Sequence, residues 1–220
     1  MPFGVDEAGK GPALGSMFAA AVRVPEPDAL PEGIADSKRL APERREELAA
    51  ILREDDRIAI GVSEIAPETI DDPETDMNSL AVRAHAEAIE AALEAADGPT
   101  APSGLCDACD TDADRFARRV ADACDLEGDL ELAAAHGADD ADPIVGAASV
   151  VAKVERDASM AALADEYGPV GSGYPSDPTT RTFLESYVAD RGELPPFARA
   201  SWSTCEDVLA DAEQTGLEQF

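Results

Sequence analysis

The chain has 220 residues and 45% apolar content, enough for one globular domain with a real core. No apolar run approaches the ~20 residues of a membrane span, and the opening MPFGVDEAGK reads as neither a signal nor a transit peptide, which points to a cytosolic protein. Forty-seven acidic against 17 basic residues give a net charge of −30, which excludes broad electrostatic attraction to a polyanion and leaves room only for a local cationic strip.

Such a balance often marks disorder, but this chain keeps regular apolar periodicity. Lysine is nearly absent: Lys10, Lys38 and Lys153 stand alone beside 14 arginines. A folded, acidic, lysine-poor chain suggests adaptation to high salt, where the Debye length falls to about 3 Å and self-repulsion is screened.

Phe3-Gly4-Val5 reads as a short strand ending at Asp6-Glu7. The apolar run over 16–24 predicts a second strand, and the proline-rich stretch 25–33 a loop. Pro42 suits a first helical position, with Leu48, Ile51 and Leu52 marking one face. Ile58, Ile60 and Val62 alternate as in a strand. A long helical pattern covers 76–96, with Val82, Ala86, Ile89, Leu93 and Ala96 at four-three spacing, and Asp97-Gly98-Pro99 stops it. Gly104-Leu105-Cys106 predicts a brief strand that delivers Asp107. Phe116, Val120 and Cys124 mark a helix, and Leu130 and Leu132 flank Glu131 in a further strand. A second long helix covers 143–167, opened by Asp139-Asp140-Ala141-Asp142. A turn-rich loop over 171–178 precedes helices over 179–191 and 201–212.

This order predicts an α/β chain around a mixed sheet. Of the four cysteines only Cys106 and Cys109 form a close pair, without the second pair or histidines that zinc would need, so reduced thiols are expected.

Four carboxylates each follow an apolar segment or loop: Asp6, Glu7, Asp107 and Asp139. Carboxylates that converge repel one another, so they raise each other's pKa or bind cations, and hard oxygen ligands suit Mg²⁺ or Mn²⁺. In so acidic a chain, solvated acids are the competing reading. His85 and His136 lack a triad-like context and read as surface or core histidines.

The surrounding motifs carry more. Gly4-Val5-Asp6-Glu7-Ala8-Gly9-Lys10-Gly11-Pro12 closely resembles the opening signature of the ribonuclease HII family. Asp36-Ser37-Lys38-Arg39-Leu40 resembles its second block. Ala138-Asp139-Asp140, with Ala147-Ala148-Ser149 through Lys153 and Arg156-Asp157, resembles the fourth. Gly171-Ser172-Gly173-Tyr174-Pro175 resembles the fifth. The blocks run in family order over nearly the whole chain.

The resemblance implies a ribonuclease H-like fold, a mixed sheet flanked by helices with a C-terminal helical extension. The expected division is a catalytic domain over 1–175, the extension over 176–213 and a tail over 214–220. It implies an archaeal-type endonuclease that cuts the RNA strand of RNA/DNA hybrids and nicks DNA 5′ of embedded ribonucleotides. Asp6, Glu7, Asp107 and Asp139 are its implied catalytic and metal-binding acids. Asp110 is an alternative to Asp107, and Asp139 is preferred to Asp140 and Asp142 by its distance from the Ala-Ala-Ser block. Two Mg²⁺ or Mn²⁺ ions about 3.5–4 Å apart would activate water and stabilise the leaving 3′ oxygen.

Gly9-Lys10-Gly11 and Tyr174 are implied to grip the ribonucleotide, whose 2′-OH distinguishes RNA from DNA. The family more often has Arg between those glycines; Lys10 keeps the charge without the bidentate fork. Lys38, Arg39, Lys153 and Arg156 are expected at phosphates, with Arg181 and Arg199 extending the basic track. For Lys153, an ion pair with Asp157 one turn on is the competing reading. Ribonuclease HIII shares the carboxylate chemistry but carries an extra N-terminal domain, which a catalytic pair at Asp6 leaves no room for. The final Gln214, Leu217 and Phe220 resemble a sliding-clamp-binding motif. Nothing in the chain demands more than a monomer.

Overall fold

The computed structural model describes residues 2–34, 40–95, 102–126, 128 and 130–217. Strand β1, Pro2–Ala8, pairs antiparallel with β2, Met17–Arg23. On its other side β1 runs parallel to β4, Ser103–Asp107, which runs parallel to β5, Glu131–Ala135. With β3, Ala59–Ile65, the mixed sheet has the order β3-β2-β1-β4-β5. Helices α1, Pro42–Glu54, α3, Met77–Glu94, and α4, Ala113–Ala123, alternate with the strands. The one-turn helices α2, Pro67–Ile70, and α5, Ala138–Ala141, precede α3 and the long α6, Pro143–Tyr167; α7, Pro178–Arg191, and α8, Ser203–Leu217, close the chain.

Every residue of β2 is buried, as a central strand covered on both faces requires. Ala20 and Val22 share a core with Leu48, Ala49 and Leu52 of α1 and with Ile144, Ala147 and Val151 of α6. Gly4 pairs with Val22 and so lies on that same face. A Cβ at Gly4 would lie 2.4 Å from the amide nitrogen of Val145, so strand and helix approach closer than any side chain permits. Side chains alternate along a strand, so Asp6 shares the α6 face while Glu7 faces α3, which lies against β1 and β2.

Several elements depart from the sequence reading. Strand β1 does not end at Asp6-Glu7: the pairs Asp6↔Ala20, Glu7↔Ala19 and Ala8↔Phe18 carry the ladder through them. The inner face of α1 is Leu48, Ala49 and Leu52, and Ile51 is 45% exposed. On β3 the buried positions are Gly61, Ser63 and Ile65, whereas Val62 faces outward. The acidic run at 139–142 does not open the long helix directly; it forms α5, after which the Asp142 carboxylate accepts from the amides of Ile144 and Val145 at 2.8 and 3.2 Å to start α6. Ala96 and Asp97-Gly98-Pro99 lie outside the described residues.

The chain divides into two compact units. One comprises Met1–Ala8, Met17–Glu64 and Met77–Glu155, and contains the sheet but for the last residue of β3. The other comprises Gly9–Ser16, Ile65–Asp76 and Arg156–Phe220. Its core joins Leu14, Met160, Val170, Leu184, Phe197 and Val208. Residues 13–15 are strapped to 197–199: Arg199 N–H donates to the Ala13 carbonyl and Gly15 N–H to the Phe197 carbonyl, both at 2.8 Å, around a bridge between Leu14 and Ala198. Among the described residues no helix is long and apolar enough to cross a membrane.

Candidate active site

In the first unit, three elements converge on one acidic site. Asp6 comes from the middle of β1, Asp107 from the end of β4 and Asp139 from α5. One carboxylate oxygen from each lies within 4.8 Å of the others, with Asp6 and Asp139 buried and Asp107 half-buried. The amide of Ala138 donates to Asp107 at 2.8 Å, which ties the start of α5 to the end of β4 and sets Asp139 beside Asp107. Burial, and next the charge of Glu7, pushes Asp6 well above the usual carboxylate range. Asp107 is also raised, by burial first and then by the charge of Asp139, against the opposing Ala138 hydrogen bond. Three hard oxygen donors held together against their own repulsion fit a divalent cation of the Mg²⁺ or Mn²⁺ type.

Glu7 is not part of that trio. On the opposite face of β1, its Oε2 is 2.8 Å from His85 Nε2 of α3. Its charge nevertheless raises both Asp6 and Asp107. His85 is fully buried and meets the Phe116 ring edge-on at 5.0 Å. Its Nδ1 has no hydrogen-bond partner among the described residues. On the α6 side, Ser149 hydrogen-bonds Asp6 and accepts from Lys153 Nζ at 2.6 Å. Ser149 and the charge of Lys153 oppose the upward shift of Asp6.

The second unit brings together most of the expected substrate-binding residues. Gly9 has φ +90°, a left-handed conformation that favours glycine. A Cβ at the exposed Gly11 would lie 3.7 Å from the Tyr174 ring. Tyr174 is 40% exposed, and the Arg156 guanidinium stands over its ring at 5.1 Å while donating to the Ser172 carbonyl. The Asp177 carboxylate accepts from the Ser172 and Thr179 amides at 2.6 and 2.9 Å, which shapes this turn and holds the acid down at about 2.

Arg199 does not extend a basic track. It is fully buried, and its guanidinium donates to the carbonyls of Gly9 at 2.6 Å, Lys10 at 3.0 Å and Gly15 at 2.9 Å. Lys153 turns back to Ser149 one turn earlier. Asp110, the alternative to Asp107, pairs with Arg115 at 2.6 Å and is held at about 2, outside the trio. Asp140 is exposed and Asp142 caps α6. Gln214 is exposed on α8; the Leu217 side chain and Phe220, like Lys38 and Arg39, lie outside the described residues. All four cysteines are free thiols, and burial drives Cys106 well up.

Sequence reading missed His85, Ser149 and Trp202. His85 had one visible signal: it is the polar member of the otherwise small apolar face Ala81, Ala88 and Ala92 on α3.

The family model for ribonuclease HII matches residues 3–205. The chain is 61% identical over 220 residues to ribonuclease HII of Haloarcula marismortui, covering all of both chains. The solved ribonuclease H2 from Pyrococcus horikoshii OT3 superposes with a TM-score of 0.85 at 33% identity, over 97% of this chain and 99% of that one. The ribonuclease HII in the PCNA:RNase HII complex from Archaeoglobus fulgidus gives a TM-score of 0.82 at 34% identity, over 94% and 96%.

Proposed function

The chain belongs to the ribonuclease HII family and is a metal-dependent ribonuclease H-type endonuclease, and from that premise we propose that it cuts the RNA strand of RNA/DNA hybrids and nicks DNA on the 5′ side of embedded ribonucleotides. The products carry 3′-OH and 5′-phosphate ends. The observation that carries the catalytic assignment is the convergence of Asp6, Asp107 and Asp139 within 4.8 Å.

Asp6, Glu7, Asp107 and Asp139 are the catalytic and metal-binding acids in this reading. These acids would hold two Mg²⁺ or Mn²⁺ ions, whose chemistry would be to activate a water and stabilise the leaving 3′ oxygen. Ser149 and Lys153 fix the orientation of Asp6, and His85 fixes that of Glu7. Gly9, Lys10 and Gly11 take the ribonucleotide's sugar and phosphate, the backbone reading its 2′-OH. The exposed face of Tyr174 receives the neighbouring sugar. Lys10, Lys38, Arg39, Lys153 and Arg156 supply the local positive charge that a −30 chain needs at a polyanion.

The tail residues Gln214, Leu217 and Phe220 are assigned to a sliding clamp. The complex of the Archaeoglobus fulgidus ribonuclease HII with PCNA supports a sliding clamp as the partner. The protein acts as a cytoplasmic monomer.

The test is cleavage of a DNA duplex carrying one ribonucleotide, in high KCl with Mg²⁺ or Mn²⁺. The expected result is a metal-dependent nick 5′ of the ribonucleotide, lost in Asp6→Asn. Absence of cleavage from folded protein at every salt and metal concentration removes the catalytic assignment; cleavage of long hybrids alone keeps the nuclease but removes recognition of the RNA–DNA junction through Lys10 and Tyr174.

A further inference from the structure

We infer that Arg199, assisted by Trp202, is a positioning residue that shapes the Gly9-Lys10-Gly11 loop into a donor surface for the ribose, a role that rests on the ribose-reading assignment proposed above. A buried guanidinium is costly to desolvate, and burial here pulls Arg199 down to about 10, still charged at neutral pH. A core position that only needed filling would be served better by an apolar side chain. Instead three loop carbonyls, those of Gly9, Lys10 and Gly15, converge on the guanidinium. The next carbonyl, Gly11, accepts from Trp202 Nε1–H at 3.2 Å, and the Trp202 ring lies 5.0 Å from the guanidinium.

The geometry of the peptide then fixes the other side of the loop. No peptide bond among the described residues is cis. In a trans peptide the C=O and the following N–H point in opposite directions. Turning the Gly9 and Lys10 carbonyls toward Arg199 therefore turns the amides of Lys10 and Gly11 away from it. Two successive N–H donors on that side suit the acceptor oxygens of a ribose or a phosphate. Proline at position 12 has no N–H, so the donor surface ends there.

The segment bearing Arg199 is itself braced. Asp71 accepts from the amides of Ala200 and Ser201 at 2.7 and 2.9 Å and from the Ser201 hydroxyl. The Arg199 amide is anchored on Ala13. Both ends of the guanidinium's reach are thus held, as a positioning role requires. Lysine at 199 would keep the charge but lose the planar fork that serves three acceptors at once.

The experiment measures discrimination: the ratio of Kd for an all-DNA duplex to Kd for the same duplex with one ribonucleotide, in high KCl with Ca²⁺ to hold back cleavage. Wild type, Arg199→Lys and Trp202→Phe are compared, with circular dichroism and Mn²⁺ calorimetry on each. Each released carbonyl is expected to lower the ratio roughly three- to tenfold, with more loss in Arg199→Lys than in Trp202→Phe, while all-DNA affinity and Mn²⁺ binding stay unchanged. A purely structural role would weaken both duplexes alike and lower Mn²⁺ binding, which overturns the inference. Unchanged discrimination in folded variants also overturns it. If Arg199→Lys does not fold, Trp202→Phe, which keeps an aromatic ring but loses the Nε1–H donor together with the five-membered ring, decides alone. A wild type that does not discriminate at all overturns the ribose-reading assignment itself, and the inference with it.

Discussion

Asp6 and Asp107 are both held above the usual carboxylate range, burial being the first cause in each and like charge the next repulsive one. For an acid with a raised folded-state pKa, the unfolded chain gives up its proton at lower pH. The penalty is therefore present at neutral pH and is relieved as pH falls through the folded-state pKa. A divalent cation relieves the same repulsion without protons. Asp6→Asn should therefore stabilise the metal-free protein, by about 1 kcal/mol, as removal of functional strain commonly does. The same variant should lose the rise in Tm that Mn²⁺ gives the wild type. A metal-free Tm lowered by the substitution, with the Mn²⁺ response intact, contradicts this account.

Asp6 and Asp107 stood out because each follows an apolar stretch of a strand, whereas Asp139, on α5, stood out only through the motif around it. The residues that orient them were less legible. Ser149 and Lys153 are one turn apart on α6, but their target Asp6 lies on another element. His85 meets Glu7 across 78 residues, a separation that helical periodicity does not encode. Arg199 was misread because surface cations are the rule for arginine, and nothing local reveals that three carbonyls await it.

At the scale of elements, the approach of β1 to α6 sets the site. Gly4 lies two residues before Asp6 on the same face, and α6 begins four residues after Asp139. Gly4→Ala places a methyl 2.4 Å from the Val145 nitrogen and 2.5 Å from the Ile144 carbonyl carbon, both backbone and unable to yield by a rotamer change. The expected loss is on the order of 3 kcal/mol, read from denaturant unfolding in high KCl. A loss below about 0.5 kcal/mol would mean that α6 can slide freely from the strand. The elements themselves were mostly visible in the sequence: the apolar run of β2, the proline that opens α1 and the long pattern of α3. Their inner faces were less so, since Gly61 and Ser63 are buried on β3 while Val62 is not. Close packing, not hydrophobicity, chose that face.

At the scale of the molecule, charge dominates. A net charge of −30 on 220 residues opposes the compact state through self-repulsion. The match to a ribonuclease HII of the halophile Haloarcula marismortui accords with that balance. Raising KCl from about 0.1 M to about 3 M shortens the Debye length from about 10 Å to below 3 Å, so Tm should climb steeply over that range. A Tm independent of KCl would show that the acidic surface costs the fold nothing. Nucleic-acid affinity should fall over the same range, because phosphate contacts release counterions.

The guanidinium of Arg199 reaches Gly9 across 190 residues of chain. During synthesis the three aspartates of the acidic site, the last of them Asp139, leave the ribosome well before Arg199 does. Contacts of such separation also form late in folding, since a long loop must close first. The Gly9-Lys10-Gly11 loop is thus among the first segments made and among the last to take shape. A product truncated before Arg199 retains Asp6, Asp107 and Asp139 but lacks the guanidinium that braces the loop.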